Sequence, residues 1–285
     1  MTSSALPQNA GVGLKPEHYR DVMEAPLDKG LWVEVHPENY MTDGGPRRAW
    51  LEVIRGHRAL SLHGVGLSLA GAEPLDKHHL ARWGELVRQF EPASISEHVA
   101  WSVQDGTYFA DLLPAPATRA ALTQLTDNID QMQNALGRTI LIENPSLYMN
   151  LKGEMDEADF IVEACNQSGC GMLLDVNNVF VTANNIGRNA GAYVDAIPAD
   201  LIGEVHLAGH APDPVLGDAL LIDNHGAPIA QPVWDLYQRL IRRVGPKPTL
   251  IERDANIPPF EELMVEVDHA NALLHEGLKK VAAHV

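Results

Sequence analysis

Residues 139–178, TILIENPSLYMNLKGEMDEADFIVEACNQSGCGMLLDVNN, decide the fold of this chain. Two short apolar runs, 139–143 and 172–176, flank a longer segment, 156–168, whose apolar residues recur at helical spacing. A strand, a helix and a second strand in this order predict a parallel βαβ unit, because parallel strands need a long crossover. Each run also ends on a carboxylate, Glu143 or Asp175, which is unusual for a buried parallel strand.

The same alternation recurs about eight times along the chain. The predicted strands are 12–14, 32–36, 60–63, 94–100, 139–143, 172–176, 202–207 and 249–252. Eight such units predict a (β/α)8 TIM barrel resembling xylose isomerase, a fold for which about 250 residues are typical. An open doubly wound sheet is the alternative, but its first turn normally carries GxGxxG, and residues 11–18 read GVGLKPEH.

We expect one barrel domain over residues 1–285, with one long loop at about 210–231. This loop is rich in Gly, Pro and Asp and contains the hairpin-like string ALLIDNHGAPI at 219–229. Long loops at the carboxyl end of a barrel commonly carry function. Six helices are also predicted, at 46–60, 77–90, 118–136, 156–168, 233–244 and 260–283.

Composition excludes several classes of function. The chain has 285 residues and a net charge of −17, so nucleic acid is not an expected partner, whereas basic peptides are natural ones. Cys165 and Cys170 are the only cysteines and form no disulfide framework, which predicts a cytoplasmic location. We find no signal peptide and no membrane-spanning run, and therefore expect no membrane partner.

Side chains that bind metals follow most of the predicted strands. Strand ends in a barrel open onto one face, so residues far apart in sequence converge there. Burying several carboxylates without compensation costs several kcal/mol per ion, and bound cations remove this cost. An internal salt-bridge network is the alternative explanation. The His and carboxylate side chains at these positions are Glu34, His36, Glu38, His63, Glu97, His98, Glu143, Asp175, His206, His210, Glu252 and Asp254, and the long loop adds Asp223 and His225.

Imidazole and carboxylate without thiolate favour iron, manganese or zinc, and the set is large enough for two or three ions. Asn144, Asn177 and Asn178 are predicted to orient these ligands, or simply to cap strand ends. Arg253 is predicted to pair with a neighbouring carboxylate or to contact a substrate carbonyl group.

The strings SLHG, SEH, IEN, LLDVNN, HLAGH, IDNHG and IERD resemble those of multinuclear non-haem iron-dependent oxidative enzymes, which include the methanobactin-biosynthesis oxidase and the enzymes that mature bufferin peptides. The resemblance extends from Gly11 to the last helix. It implies two or three Fe(II)/Fe(III) ions, with O2 as co-substrate for oxidation of Cys in a ribosomally made precursor peptide. The products would be heterocycles or thioamides. A small protein that delivers the peptide is implied as a partner.

By this resemblance, Glu143 bridges two ions, and His210 and Asp254 are weaker site candidates. The iron ligands that the resemblance implies are His63, His98, Glu143, Asp175, His206, Asp223, His225 and Glu252. Glu143, Asp175 and His206 would be central to catalysis. Glu34, Asn39 and Tyr40 match the family in the string EVHPENY, whereas His36 departs from it. This departure leaves the role of the second strand open.

Three alternatives remain open from the residues themselves. A divalent-metal hydrolase or phosphodiesterase on the same barrel would suit the ligands but not the negative charge. A sugar isomerase would need a Lys or His beside the substrate carbons, and Lys is absent from strand ends after Lys15. A metal-binding chaperone without turnover is the third.

Overall fold

The computed structural model describes residues 5–27 and 30–282, and its centre is a closed barrel of eight parallel strands. This confirms the predicted (β/α)8 fold. In chain order the strands are β1 (Ala10–Gly13), β2 (Val33–Val35), β3 (Leu60–Gly64), β4 (Ser94–His98), β5 (Trp101–Gln104), β6 (Thr107–Leu113), β7 (Leu141–Glu143), β8 (Gly171–Asp175), β9 (Ile202–Leu207), β10 (Ala211–Asp213), β11 (Gly217–Ile222) and β12 (Thr249–Ile251). Around the barrel the order is β1, β12, β9, β8, β7, β4, β3, β2.

Helices connect the barrel strands. They are α1 (Tyr19–Glu24), α2 (Pro46–Arg55), α3 (Lys77–Phe90), α4 (Arg119–Leu136), α5 (Glu157–Ser168), α6 (Val176–Ile186), α7 (Ala190–Ala196), α8 (Gln231–Val244) and α9 (Phe260–Ala282). The helix predicted at 46–60 ends at Arg55, and α1, α6 and α7 were not predicted. Within the described residues, no helix is long and apolar enough to span a membrane.

Side chains alternate between the two faces of each strand. On β3, Leu60 and Leu62 are fully buried beneath the outer helices, whereas Ser61 and His63 face the interior of the barrel. The apolar core therefore lies mainly between the strands and the helices. Polar side chains line the barrel interior near the carboxyl ends of the strands, and the candidate ligands lie among them.

Two antiparallel hairpins extend from this end of the barrel. One pairs β5 with β6, in the segment between β4 and α4. The other pairs β10 with β11, so the hairpin lies at 211–222 rather than at the predicted 219–229. As a result, Asp223 and His225 follow the second hairpin directly, in the loop that leads to α8.

Candidate metal centre

Glu143, at the end of β7, lies at the centre of the cluster. Its Oε2 atom is 2.9 Å from Nε2 of His63 and 3.0 Å from Nε2 of His98. Its Oε1 atom is 3.8 Å from Nδ1 of His206. One carboxylate therefore faces three imidazole rings that come from β3, β4 and β9.

The Nδ1 atoms of His63 and His98, which face away from Glu143, are hydrogen-bonded to residues of neighbouring strands. Nδ1 of His98 lies 2.8 Å from the carbonyl oxygen of Gly64, an acceptor to which it donates. Nδ1 of His63 is bonded to the Ser96 hydroxyl at 2.8 Å. Because Nδ1 of His98 carries the proton, its Nε2 lone pair faces Glu143 and is free to bind a cation.

Asp175 is oriented by the start of α6. Its Oδ1 atom accepts the backbone N–H of Asn178 at 2.6 Å, which makes Asp175 the N-cap of this helix. Its Oδ2 atom is buried and has no hydrogen-bond partner among the described residues. Capping therefore uses one carboxylate oxygen and leaves the other for a ligand, while burial raises the pKa of Asp175 well above its usual value.

Asn144 and Asn178 fix the ends of β7 and β8. The Asn144 side chain exchanges two hydrogen bonds of 3.0 Å with the backbone of Asp175. Asn178 donates to the carbonyl oxygen of Asn144 at 3.1 Å and accepts from Ser146 at 3.0 Å. The side-chain amides of Asn144 and Asn178 therefore hold Asp175 in its orientation.

A second chain of hydrogen bonds reaches the long loop. Asn177 donates to Oδ1 of Asp223 at 2.9 Å and lies 2.8 Å from Nδ1 of His210, which donates to its amide oxygen. The same Oδ1 of Asp223 is 2.7 Å from Nε2 of His225. His210 thus supports Asp223 from outside the cluster.

His225 adopts a left-handed backbone conformation with φ of 46°, which a side chain with a Cβ rarely takes. Its carbonyl oxygen accepts the backbone N–H of Asp254 at 2.9 Å. Its Nδ1 atom is 3.2 Å from Oε2 of Glu252, at the end of β12. The strained loop is held by this pairing, which brings Asp223 and His225 to the barrel mouth.

Charges within the cluster are strongly coupled. Burial would raise the pKa of Glu143, but His98 and His63 outweigh it and hold the value at about 2. Burial likewise opposes charge on His63, yet the attraction of Glu143 raises its pKa to about 10. Burial would also raise the pKa of Glu252, but the attraction of His225 and His206 outweighs this effect and keeps the pKa well below its usual value. Without a cation His63, His206 and His225, whose pKa values are raised, therefore hold protons, which a bound metal ion would displace.

The donor set fits metal ions. Atoms Glu143 Oε2, Asp175 Oδ2 and His225 Nε2 are buried, and no described group meets them with the geometry of a hydrogen bond. Charged groups do lie close to two of them: imidazole nitrogens at 2.9 and 3.0 Å from Glu143 Oε2, and a carboxylate oxygen at 2.7 Å from His225 Nε2. Such orphaned polar atoms are costly unless a cation or water completes them. Four groups bring three potential ligand atoms together: His63–Glu143–His206, Asp175–His225–Glu252, His36–Glu252–Asp254 and Glu34–Glu204–His206.

The structure thus brings together His63, His98, Glu143, Asp175, His206, Asp223, His225 and Glu252 at one barrel mouth. Arg253 points away from them and pairs with Glu266 of α9 at 3.1 Å. The sequence analysis did not select Glu204, which is fully buried and 3.8 Å from His206. Its position two residues before His206 on one strand places both side chains on the inner face, a signal that was present in IGEVHL.

Two cavities open onto the cluster. One of about 410 Å³ is lined by Lys15, Tyr40, Glu34 and Arg47, together with other residues of the β1 and β2 ends. The other, of about 190 Å³, lies beside Leu112 of β6 and Tyr148. Both cavities are lined by His36, Val65, Glu252 and Asp254, so the cluster has space on two sides.

Comparison with solved structures supports the fold. Endonuclease IV from Thermus thermophilus matches with a TM-score of 0.58 at 12% identity, over 95% of this chain and 99% of that one. A D-psicose 3-epimerase from Clostridium cellulolyticum also gives 0.58, at 10% identity over 95% and 97%. A xylose isomerase domain protein from Planctomyces limnophilus gives 0.55 at 13% identity, over 96% and 95%. At these identities the likeness concerns the barrel alone.

Sequence comparison finds much nearer relatives. A UPF0276 protein of Caulobacter sp. strain K31 is 59% identical over 93% of this chain and 96% of its own length. A UPF0276 protein of Bordetella bronchiseptica is 50% identical over 97% and 96%. The family model described as "RiPP precursor modification enzyme MbnB/TglH/ChrH", where RiPP denotes a ribosomally synthesised and post-translationally modified peptide, matches residues 9–275. The chain belongs to this family of peptide-modifying enzymes.

Proposed function

We propose that this enzyme binds two or three iron ions at the barrel mouth and uses O2 to oxidise Cys residues of a precursor peptide. The family match supports peptide modification, and the donor set supports a multinuclear metal centre. The observation that carries the proposal is Glu143, whose two carboxylate oxygens face different imidazoles. A carboxylate in this position suits a bridge between two cations.

The assignment of ligands follows the two oxygens of Glu143. His63 and His98, with Oε2, would hold one ion. Asp175, His206 and Glu252, with Oε1, would hold a second. Asp223 and His225 of the long loop, again with Glu252, would form a third metal site, occupied in all or only some of the molecules.

Bound iron would supply the redox chemistry, with O2 as the acceptor of the electrons and protons removed from Cys, and would make the substrate thiol more acidic. The chain itself fixes the ligand geometry through Asn144, Asn177 and Asn178. It also surrounds the centre with buried side chains, which limits the access of water.

The two cavities suit an extended peptide that crosses the mouth. The reactive Cys would lie above Glu252, with its neighbours in the 410 Å³ and 190 Å³ cavities. Carboxylates line both cavities, among them Glu34, Asp111 and Asp223, and the chain carries a net charge of −17. We therefore expect a peptide with a basic segment to be preferred.

A small delivery protein is part of the proposal. Several segments that follow the carboxyl ends of barrel strands carry exposed apolar side chains, namely Tyr108 and Phe109 on β6, Met149 after β7, and Val215 and Leu216 at the turn between β10 and β11. We expect these groups to contribute to the surface that binds the delivery protein.

The direct test is anaerobic loading with Fe(II), followed by addition of O2 and of a short Cys-containing peptide with a basic segment. The proposal predicts O2 consumption coupled to loss of hydrogen from the Cys residues, seen by mass spectrometry. Zinc-dependent hydrolysis without O2 uptake would instead favour a hydrolase. Tight binding of the peptide with unchanged mass would favour a chaperone.

A further inference from the structure

Beneath the metal-binding cluster, a second polar layer lies inside the barrel and contributes no ligand to the proposed ions. It contains Glu34 of β2, Glu204 of β9, Ser61 of β3 and Ser94 of β4. Glu204 is fully buried and Glu34 is 3% exposed. Two carboxylates in such a position cost several kcal/mol each unless they interact with a positive or proton-donating group.

His206 connects this layer to the cluster above it. Its Nδ1 atom faces upward, 3.1 Å from Oε2 of Glu252 and 3.8 Å from Oε1 of Glu143. Its Nε2 atom faces downward, 3.2 Å from Oε1 of Glu34 and 3.8 Å from Oε1 of Glu204. Neither of these two contacts has the geometry of a hydrogen bond, whereas Nδ1 is hydrogen-bonded to Glu252. The two nitrogens of one imidazole ring therefore face two different sets of carboxylates.

We propose that Glu34 is a positioning residue that accepts the Nε2 proton of His206 and so presents the Nδ1 lone pair to a cation. This inference rests on the proposed metal centre, because it needs a cation on the Nδ1 side of the ring. A neutral imidazole carries one N–H group, and a carboxylate beside Nε2 favours the tautomer with the proton there.

Glu204 has a supporting role. Its Oε2 atom accepts from the Ser94 hydroxyl at 2.8 Å and from the Ser61 hydroxyl at 3.4 Å, which holds the carboxylate across the barrel from β9. Its Oε1 atom makes no hydrogen bond among the described residues and faces His206. Glu204 thus places a second carboxyl group below the ring, but the shorter distance makes Glu34 the acceptor of the Nε2 proton.

The arrangement has a consequence for the metal. A ligating imidazole that donates its other N–H to a carboxylate becomes a stronger donor, and loss of such a carboxylate typically weakens metal binding by about 10- to 100-fold. We expect that effect at the ion bound by His206 only. The ion between His63 and His98 should be unaffected, because Ser96 holds the ring of His63 and the carbonyl oxygen of Gly64 holds the ring of His98.

The test uses Zn²⁺ as a diamagnetic probe and protein labelled with ¹⁵N-histidine. In the zinc-loaded wild-type protein, the ¹⁵N shifts of His206 should show Nδ1 bound to metal and Nε2 protonated. In Glu34→Gln, zinc affinity at one site should fall by about 10- to 100-fold, while the number of zinc ions bound at saturation is unchanged. This readout needs neither iron nor O2, so it fails or succeeds independently of the redox chemistry.

The matched control is Glu157→Gln. This substitution removes a carboxylate that pairs with Arg188 at 2.8 Å, outside the barrel interior, so zinc binding should be unchanged even if stability falls. Three results would overturn the inference: metal bound to Nε2, an Nε2 without a proton, or the complete loss of one zinc ion in Glu34→Gln. The first and the third of these results would make Glu34 a ligand of a further ion rather than a positioning residue.

Discussion

Replacement of Glu143 by Gln tests the role of the shared carboxylate. The substitution keeps the shape of the side chain and removes one negative charge that faces His63 at 2.9 Å and His98 at 3.0 Å. At about 4 Å and an effective dielectric constant near 20, opposite unit charges attract by about 4 kcal/mol. This corresponds to a loss of about three powers of ten in the binding constant for each ion next to Glu143.

The assay has two parts, since folding and metal binding must be separated. Circular dichroism and thermal unfolding of the metal-free protein should show that Glu143→Gln keeps the barrel, because the apolar core lies outside the strands. Equilibrium dialysis against Fe(II) under anaerobic conditions, followed by metal analysis, should show loss of at least one ion. Peptide oxidation should be abolished.

Glu97→Gln is the control. Glu97 is as buried as Glu143 and precedes His98 on β4, but it faces outward and accepts the backbone N–H of Leu67 at 3.3 Å. Burial raises its pKa to about 8, so it is largely uncharged at neutral pH and Gln is a close substitute. Iron content should remain as in the wild type. Wild-type iron content and turnover in Glu143→Gln would refute the bridging role.

Three further predictions follow from the same contacts. Asn177→Ala removes the donor to Asp223, so affinity for the loop-bound ion should fall about 10- to 100-fold, as measured by metal titration; an unchanged titration would show that Asp223 needs no support. Binding of Zn²⁺ at neutral pH should release protons and tighten as pH rises, because the pKa of His63 in the metal-free protein is raised to about 10; calorimetry in buffers of different ionisation enthalpy measures this, and a pH-independent affinity would contradict it. Cys165→Ser should leave iron content and peptide oxidation unchanged, since this buried thiol lies on α5 outside the barrel, and a large loss of activity would assign it an unforeseen role.

The barrel could be predicted from the sequence because its strands are buried on both sides and read as apolar runs. The ends of those runs also indicated most of the cluster, since His63, His98 and Glu143 each follow strand residues that have to be buried. The fixed geometry of a closed parallel barrel then places them on one face.

The hairpins and the lower layer were harder to predict. Most of β6 is exposed, so no two-residue period in hydrophobicity marks it as a strand. Glu204 precedes His206 by two residues, but its partners Ser61 and Ser94 are more than 100 residues away in sequence. The two-residue spacing to His206 indicates that Glu204 faces the barrel interior, but its contacts there come from strands that are distant in sequence and could not be predicted from the local pattern.

The most direct test of the central claim is the anomalous scattering of crystals loaded anaerobically with Fe(II), recorded on both sides of the iron absorption edge. We predict one iron peak among His63, His98 and Glu143 and a second among Asp175, His206 and Glu252. Peaks elsewhere on the molecule, or an iron-free cluster in protein that retains iron, would contradict the account.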